Sequence, residues 1–222
     1  MKTFSEIYQL ACLHKGGEDA VEGLLPTVCN DEELNSKSDD YYLSNMSRRV
    51  FRAGLKHAMV DKKWPGFDAA FKHFDPFYCA MLSEDDIDAA MKNKTIIRHR
   101  GKLLSIRANA QFVIEQSREY GGFGAYLTHW APDQTLLLWW DLKKKGKHLG
   151  GASGPSFLRM VGKDSFLLTR DVVAVLKNND VIAKEPTSKA DLREVQKAFL
   201  TWQAECGRPL SEISRIVSFT AT

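Results

Sequence analysis

The sequence contains no apolar run long enough to cross a membrane, and its first residues lack the basic and then apolar order of a secretory signal. Cysteine is scarce, and neither a C-x-x-C pair nor a histidine at metal-ligand spacing accompanies it. Because the cysteines lie far apart, we expect reduced thiols and no structural zinc at Cys12, Cys29, Cys79 and Cys206. These absences predict a cytoplasmic protein that needs no metal, no cofactor and no membrane.

Strict alternation of apolar and polar residues, the pattern of a half-buried strand, is nearly absent. Apolar residues instead recur at helical spacing. Several helix starts carry capping patterns, namely Thr3–Glu6, Ser83–Asp86, Ser188–Asp191 and the pair Asp75-Pro76. A long helix is predicted to begin after Ser38 or Asp39 and to end at Trp64-Pro65-Gly66, because proline and glycine disfavour helix. The predicted fold class is all-α.

Neither sign of charge dominates, since 31 Lys and Arg residues face 28 Asp and Glu residues, for a net charge of +3. This mildly basic balance permits nucleic acid as a partner without requiring it, so the local distribution of charge must decide. With 222 residues, 44% of them hydrophobic, the chain can bury one good core or two lobes that share a cleft.

The Gly-rich hairpin, as we call residues 149–155, contains Gly150, Gly151, Gly154 and Pro155, and an apolar run of helical character follows it. Glycine permits positive φ and close backbone approach, so a turn of this kind at a helix start can aim several N–H groups at one anion. The preceding run, Lys143–His148, adds positive charge. The segment therefore predicts a phosphate site, and the alternative is an ordinary packing loop.

From Leu149 onward this segment resembles the hairpin of the helix-hairpin-helix base-excision DNA glycosylases, although it has one residue more than their usual Gly-x-Gly. In that superfamily a catalytic Asp stands at the start of the next helix, and Asp171 lies 22 positions after Leu149. The alternative role for Asp171 is a cap or first-turn acid. The resemblance implies that Asp171 is catalytic and that DNA is bound by Gly150, Gly151, Gly154, Lys143, Lys144, Lys145 and Lys147.

The run Ile96–Lys102 reads Ile-Ile-Arg-His-Arg-Gly-Lys, a quite specific combination of three cations and a glycine. It is similar to a run in the DNA-3-methyladenine glycosylase I family, and Leu142–Gly146 keeps that family's spacing to Gly150. Further matches lie at Ala53-Gly54-Leu55, Phe71, Phe74-Asp75-Pro76 and Asn109-Ala110. The chain is thereby identified as a divergent member of that family. The resemblance covers somewhat under half of the chain.

That family implies a two-lobed all-α fold whose cleft receives a flipped methylated purine. The family's base-recognising Glu falls on Arg49 here, its Trp falls on His57, and its zinc ligands have no counterparts. A cationic Arg49 would repel a cationic base, so a different substrate, a pocket built from other residues and lost activity all stay open. The candidate pocket residues are Arg49, His57, Tyr42 and Trp64, and the alternative for the last two is a role in the core or in support of the surface.

The cations of the 96–102 run, Arg98, Arg100 and Lys102, are predicted to contact DNA phosphates. Their alternative is a structural role at a helix start, packing against the protein and pairing with nearby acids. The acids in reach along the sequence are Asp85, Asp86 and Asp88.

The predicted function is a monofunctional DNA glycosylase that flips and excises an alkylated purine, similar to 3-methyladenine, by hydrolysis of the N-glycosidic bond. No Schiff base is expected, because the nearest lysine that precedes Asp171 is Lys163, eight residues earlier. The expected partner is double-stranded DNA with alkylated bases, and the expected state is a monomer. The alternatives are a non-catalytic helix-hairpin-helix DNA-binding protein and an all-α protein that binds a small molecule or another protein.

We expect one glycosylase-like unit over residues 1–222. Its central lobe is predicted at 38–140. Its second lobe is predicted from 1–37 and 141–222, with the Gly-rich hairpin in this second lobe.

Overall fold

A computed structural model describes residues 1–221. They form fourteen α-helices and two short 3₁₀ helices and contain no strand, which confirms the all-α prediction. No helix in this range is long and apolar enough to cross a membrane. The helices are α1 (Phe4–Lys15), α2 (Glu18–Glu22), α3 (Asp31–Asn35), α4 (Asp39–Arg52), α5 (His57–Ala70), α6 (Pro76–Ala80), α7 (Glu84–Lys92), α8 (Arg100–Tyr120), α9 (Phe123–Thr128), α10 (Thr135–Lys145), α11 (Ser153–Val161), α12 (Arg170–Asn178), α13 (Lys189–Cys206) and α14 (Leu210–Ser218).

The helices group into two compact units. The central unit comprises Cys29–Trp130 and Trp139–Val161, and the terminal unit comprises Met1–Val28, Ala131–Leu138 and Gly162–Thr222. These bounds differ from the predicted lobes, because the Gly-rich hairpin belongs to the central unit. The hairpin belongs there because α11, which it begins, packs against α4, a helix distant from α11 in the sequence.

The predicted helix starts are present. Thr3, Ser83 and Ser188 each accept a hydrogen bond from the backbone N–H three residues on, and the acid at that position bonds back. Asp75 caps α6, since its Oδ1 accepts from Tyr78 N at 2.6 Å, with Pro76 as the first helical residue. Ser38, rather than Asp39, precedes the first residue of α4.

The predicted long helix ending at Trp64-Pro65-Gly66 is wrong. The chain leaves helix α4 after Arg52, turns at Gly54 with φ +78°, and then runs as α5 straight through Pro65. Gly66 is required for packing rather than for a break, because a Cβ there would lie 2.7 Å from the Thr95 carbonyl oxygen. Tertiary contacts therefore outweigh the local propensity of proline and glycine.

In the terminal unit, α12 and α13 pack against α14, and α1 covers both α13 and α14. Phe166 and Phe199 stack with centroids 4.7 Å apart, and Trp202 donates from Nε1 to Lys2 O at 3.1 Å. The carboxylate of Asp164 accepts from Leu210 N at 3.0 Å and Ser211 N at 2.8 Å, which satisfies the start of α14.

The central unit is organised around α8, which packs against α4, α6 and α9. Aromatic side chains fill its core, and Trp64 stacks on Phe74 with centroids 5.2 Å apart and planes only 4° from parallel. Helices α3 and α9 approach so closely that a Cβ on Gly124 would lie 2.4 Å from Leu34 O. This core supports both α4 and the hairpin.

Candidate functional site

The Gly-rich hairpin lies between α10 and α11 and supplies the first residues of α11. The loop between the two helices covers residues 146–152 and uses positive φ at His148 (+62°) and Gly151 (+58°). The N–H groups of Gly151, Ala152 and Gly154 donate no hydrogen bond within residues 1–221. A group of unbonded N–H donors at a helix start is a site for an anion.

Two glycines near this loop are required by packing. A Cβ on Gly146 would lie 2.9 Å from Leu142 O, and a Cβ on Gly154 would lie 2.7 Å from Leu149 O. Gly151 differs from them, because it is exposed and has open space around a hypothetical Cβ. Glycine is favoured at position 151 only because of the positive φ there, which L-residues adopt at a cost in energy.

Asn109, a residue of α8 that is fully buried, holds the loop in place. Its Oδ1 accepts from Lys147 N at 2.7 Å, and its Nδ2 donates to Lys147 O at 3.1 Å. In the sequence Asn109 is one of the family matches, and no role was predicted for it. An Asn among the apolar positions of a helix indicates a buried hydrogen-bonding role, because a buried amide needs partners.

Replacing Asn109 by Ala is expected to lower the free energy of unfolding by about 1–3 kcal/mol, because the N–H and carbonyl of Lys147 lose their partners. Urea unfolding followed by circular dichroism measures the change. Gln111→Ala is the matched control, since Gln111 carries the same amide group and is exposed on the same helix. Equal stabilities of the two variants would contradict the assignment of Asn109 as the clamp.

The four lysines of the run, Lys143, Lys144, Lys145 and Lys147, are all exposed, but they differ in their partners. The ammonium groups of Lys143, Lys144 and Lys147 have no hydrogen bond or ion pair within residues 1–221. Lys145 donates to Gln116 Oε1 at 2.9 Å and pairs with Asp141 at 3.0 Å. The prediction that Lys145 binds DNA therefore has less support than the predictions for the other three lysines.

The 96–102 run leads into the first turn of α8. Two of its three cations that are predicted to contact DNA form bonds within the protein. Arg100 pairs with Asp88, as its alternative predicted, and also with Glu84 at 2.6 Å. Lys102 Nζ donates to Ala53 O at 2.5 Å and to Phe51 O at 3.2 Å. Of the three cations, Arg98 alone has no hydrogen bond or ion pair within the described residues, and it is exposed.

The last turns of α4 carry Arg48, Arg49 and Arg52. Arg52 forms a bidentate pair with Asp61 at 2.7 Å, and the guanidinium of Arg48 lies 4.9 Å from the centre of the Trp64 ring. Arg49 is half-buried, and its Nε is fully buried with no hydrogen-bond partner. Burial, and then the charge of Arg52, lower the pKa of Arg49.

The other three candidate pocket residues differ in how buried they are. Tyr42 is 0% exposed and its hydroxyl donates to Leu34 O at 2.6 Å, while Trp64 is 4% exposed and donates to Ser44 Oγ at 3.1 Å. Their core alternative is therefore the correct one, because neither offers a free surface or polar atom to a ligand. His57 is exposed at the first residue of α5.

Asp171 lies in the terminal unit as the second residue of α12, and its side chain is exposed. Thr169 is the N-cap, because its Oγ1 accepts from Val172 N at 3.2 Å, so Asp171 is not the cap. Its carboxylate has no hydrogen bond or ion pair within residues 1–221. The segment before α12 is hydrogen-bonded to α14. The hydroxyls of Ser211 and Ser214 accept hydrogen bonds from Ser165 N and Leu167 N.

No group of three or more His, Cys, Asp or Glu side chains suited to a metal ion occurs in the described part of the chain. None of the four cysteines forms a disulfide. Burial raises the pKa of the Cys79 thiol to about 12, so this thiol is protonated at neutral pH.

A family model for methyladenine glycosylases matches residues 33–147, more than half of the chain. The chain belongs to the methyladenine glycosylase family. DNA-3-methyladenine glycosylase 1 of Escherichia coli is 36% identical over 67 residues, which are 30% of this chain and 36% of that protein. The enzyme of Haemophilus influenzae is 45% identical over 60 residues, which are 27% and 32% of the two chains. The aligned part thus spans about a third of each curated relative.

Solved structures extend this family assignment to the fold. A 3-methyladenine DNA glycosylase I from Staphylococcus aureus matches with 26% identity and a TM-score of 0.52, over 60% of this chain and 81% of that one. An 8-oxoguanine glycosylase/lyase of Methanocaldococcus jannaschii, solved with DNA, has 15% identity and a TM-score of 0.55 over 96% of both chains. This methyladenine glycosylase family member therefore has the helix-hairpin-helix glycosylase fold.

Proposed function

We propose that this protein is a DNA N-glycosylase of base-excision repair, acting on double-stranded DNA that contains an alkylated purine. The observation that carries the proposal is the Gly-rich hairpin, whose three unbonded N–H groups stand beside exposed lysines in a member of this family. Two curated relatives are named DNA-3-methyladenine glycosylases, which supports an alkylated purine as the leaving base.

The chemistry needs a flipped nucleotide, because an enzyme cannot reach the glycosidic bond inside the base stack. The C1′–N bond breaks with its electron pair on the base, and positive charge develops at C1′. A carboxylate near C1′ stabilises that charge and orients the attacking water, whose hydroxyl adds to C1′ while its proton goes to the base. We assign this role to Asp171, whose exposed carboxylate has no competing partner in the described residues.

Binding through phosphates predicts a difference between two neighbouring lysines. Lys143→Ala is expected to reduce the slope of log affinity against log salt by about one, because an exposed lysine at a phosphate contributes one released counterion. Lys145→Ala is expected to leave the slope unchanged, since Lys145 pairs with Asp141. Fluorescence anisotropy with duplex DNA over a series of salt concentrations measures both. A slope for Lys143→Ala equal to that of the wild type would argue against phosphate binding by this run.

A non-catalytic DNA-binding protein is the second candidate, and Arg49 favours it, because this cation stands where the family resemblance implies a glutamate. Base release from alkylated duplex DNA, with products identified by chromatography, separates the two. The proposed enzyme releases a free purine and leaves an abasic site without strand cleavage. DNA binding with no base released would support the second candidate, and no binding to any DNA at low salt would reject both.

A further inference from the structure

The end of α4 and the start of α8 bring together four cations, Arg48, Arg49, Arg52 and Lys102, which we call the Arg49 cluster. One carboxylate, Asp61, pairs with a member of the cluster by direct contact. The other hydrogen bonds and ring contacts of its side chains within residues 1–221 involve no negative charge: they reach the rings of Trp64 and Phe51, the sulfur of Met160, and backbone carbonyls. The cluster therefore holds more positive charge than its surroundings compensate.

Three of the four members have an internal partner. Arg52 is paired with Asp61, and Arg48 lies over the Trp64 ring. Lys102 donates to the two carbonyls at the end of α4, where a cation also complements the helix dipole. Arg49 is left with no ion pair or hydrogen bond within residues 1–221. Burial, and then the nearby charge of Arg49, lower the pKa of Lys102, so the two cations lie close enough to repel each other.

A half-buried guanidinium without a partner is costly, because it has lost part of its water and has gained no acceptor. A ligand with hydrogen-bond acceptors removes that cost, and a cationic ligand increases it. We propose that Arg49 contacts the base to be excised, and that this base is an uncharged purine lesion with acceptor atoms facing the guanidinium. The inference rests on the proposed glycosylase function and narrows its substrate.

The direction of electron flow supports the same substrate. When the glycosidic bond of an uncharged base breaks, the electron pair makes the base negative, and the guanidinium stabilises that charge by a charge-assisted hydrogen bond. When a cationic base leaves, it becomes neutral, and Arg49 has no developing charge to stabilise. An Arg at this position therefore favours alkylated bases without charge, such as 1,N6-ethenoadenine, over N3- or N7-methylated purines.

The test is single-turnover excision from duplexes that each contain one lesion, either 1,N6-ethenoadenine (uncharged) or N7-methylguanine (cationic). The wild-type protein is expected to accelerate release of the uncharged base more, relative to the spontaneous rate. Arg49→Gln is expected to slow release of the uncharged base by roughly ten- to hundredfold, the effect of losing one charged hydrogen bond. Arg49→Glu is expected to shift the preference toward the cationic base. Lys62→Glu is the matched control, because it reverses an exposed charge on α5 and should leave both rates unchanged.

Affinity for undamaged duplex distinguishes a base contact from a phosphate contact. Arg49→Gln should leave both this affinity and its salt slope unchanged, whereas a slope reduced by about one would show that Arg49 binds phosphate and would overturn the proposal. Faster wild-type release of the cationic base, relative to its spontaneous rate, would overturn the inference and leave the glycosylase function standing. If the wild-type protein released no base from any duplex, including DNA treated with a methylating agent, the glycosylase function itself would fail. The wild-type comparison needs no variant, so a folding defect cannot obscure the result.

Discussion

Asp171→Asn is expected to reduce single-turnover base excision by roughly a hundredfold or more, the usual effect of removing one preorganised electrostatic group. The substitution keeps the shape of the side chain and removes its charge. Because the role proposed for this carboxylate concerns the charge that develops at C1′ and not bound phosphate, the affinity for DNA should change little. Rapid-quench measurements with enzyme in excess give the chemical rate, and anisotropy gives the affinity.

Asp180→Asn is the matched control for this experiment. Asp180 is an exposed acid that follows the other end of α12, and asparagine tolerates its positive φ of +56°. The control removes the same charge from the same unit and should excise at the wild-type rate. If Asp171→Asn also excises at the wild-type rate, Asp171 is only a first-turn acid that complements the helix dipole.

Gly151→Val is expected to weaken binding to every duplex by roughly tenfold, because left-handed backbone costs an L-residue about 1–2 kcal/mol and relief of that strain turns the amides away from the phosphate. Contacts to phosphate carry no sequence information, so damaged and undamaged DNA should lose affinity equally. Gly151 is exposed and its Cβ position is open, so the fold should be retained. Anisotropy titrations with both duplexes measure the loss.

Two further variants separate hairpin conformation from general backbone strain. Gly121→Val introduces a β-branched residue at φ +87° in the same unit, at the end of α8, and should leave DNA affinity unchanged. Gly151→Asn tolerates positive φ and should bind almost as well as the wild type. Unaltered affinity of Gly151→Val would show that the hairpin does not hold the DNA backbone.

The all-α class, several helix starts and the family could be predicted from the order of the amino acids. The helix caps at Thr3, Ser83 and Ser188 could be predicted because each cap joins residues three positions apart, a spacing set by helix geometry. The turn before α11 could be predicted for a similar reason, because the positive φ of Gly151 favours glycine at that position whatever the rest of the fold is. The run at 96–102 pointed to the family through residue identity alone.

Which of the candidate side chains are available to a ligand depends on how the helices pack together. Lys145, Arg100 and Lys102 look like the free cations beside them in sequence, yet each also bonds to a residue at least 12 positions away, namely Gln116, Asp88 and Ala53. Tyr42 and Trp64 are core residues, and Pro65 continues a helix, because packing from other elements outweighs local propensity. Arg49 stands out for the opposite reason: its charge is half-buried, and no partner for it lies within residues 1–221. Such compensation depends on groups far apart in the chain, so no local pattern encodes it.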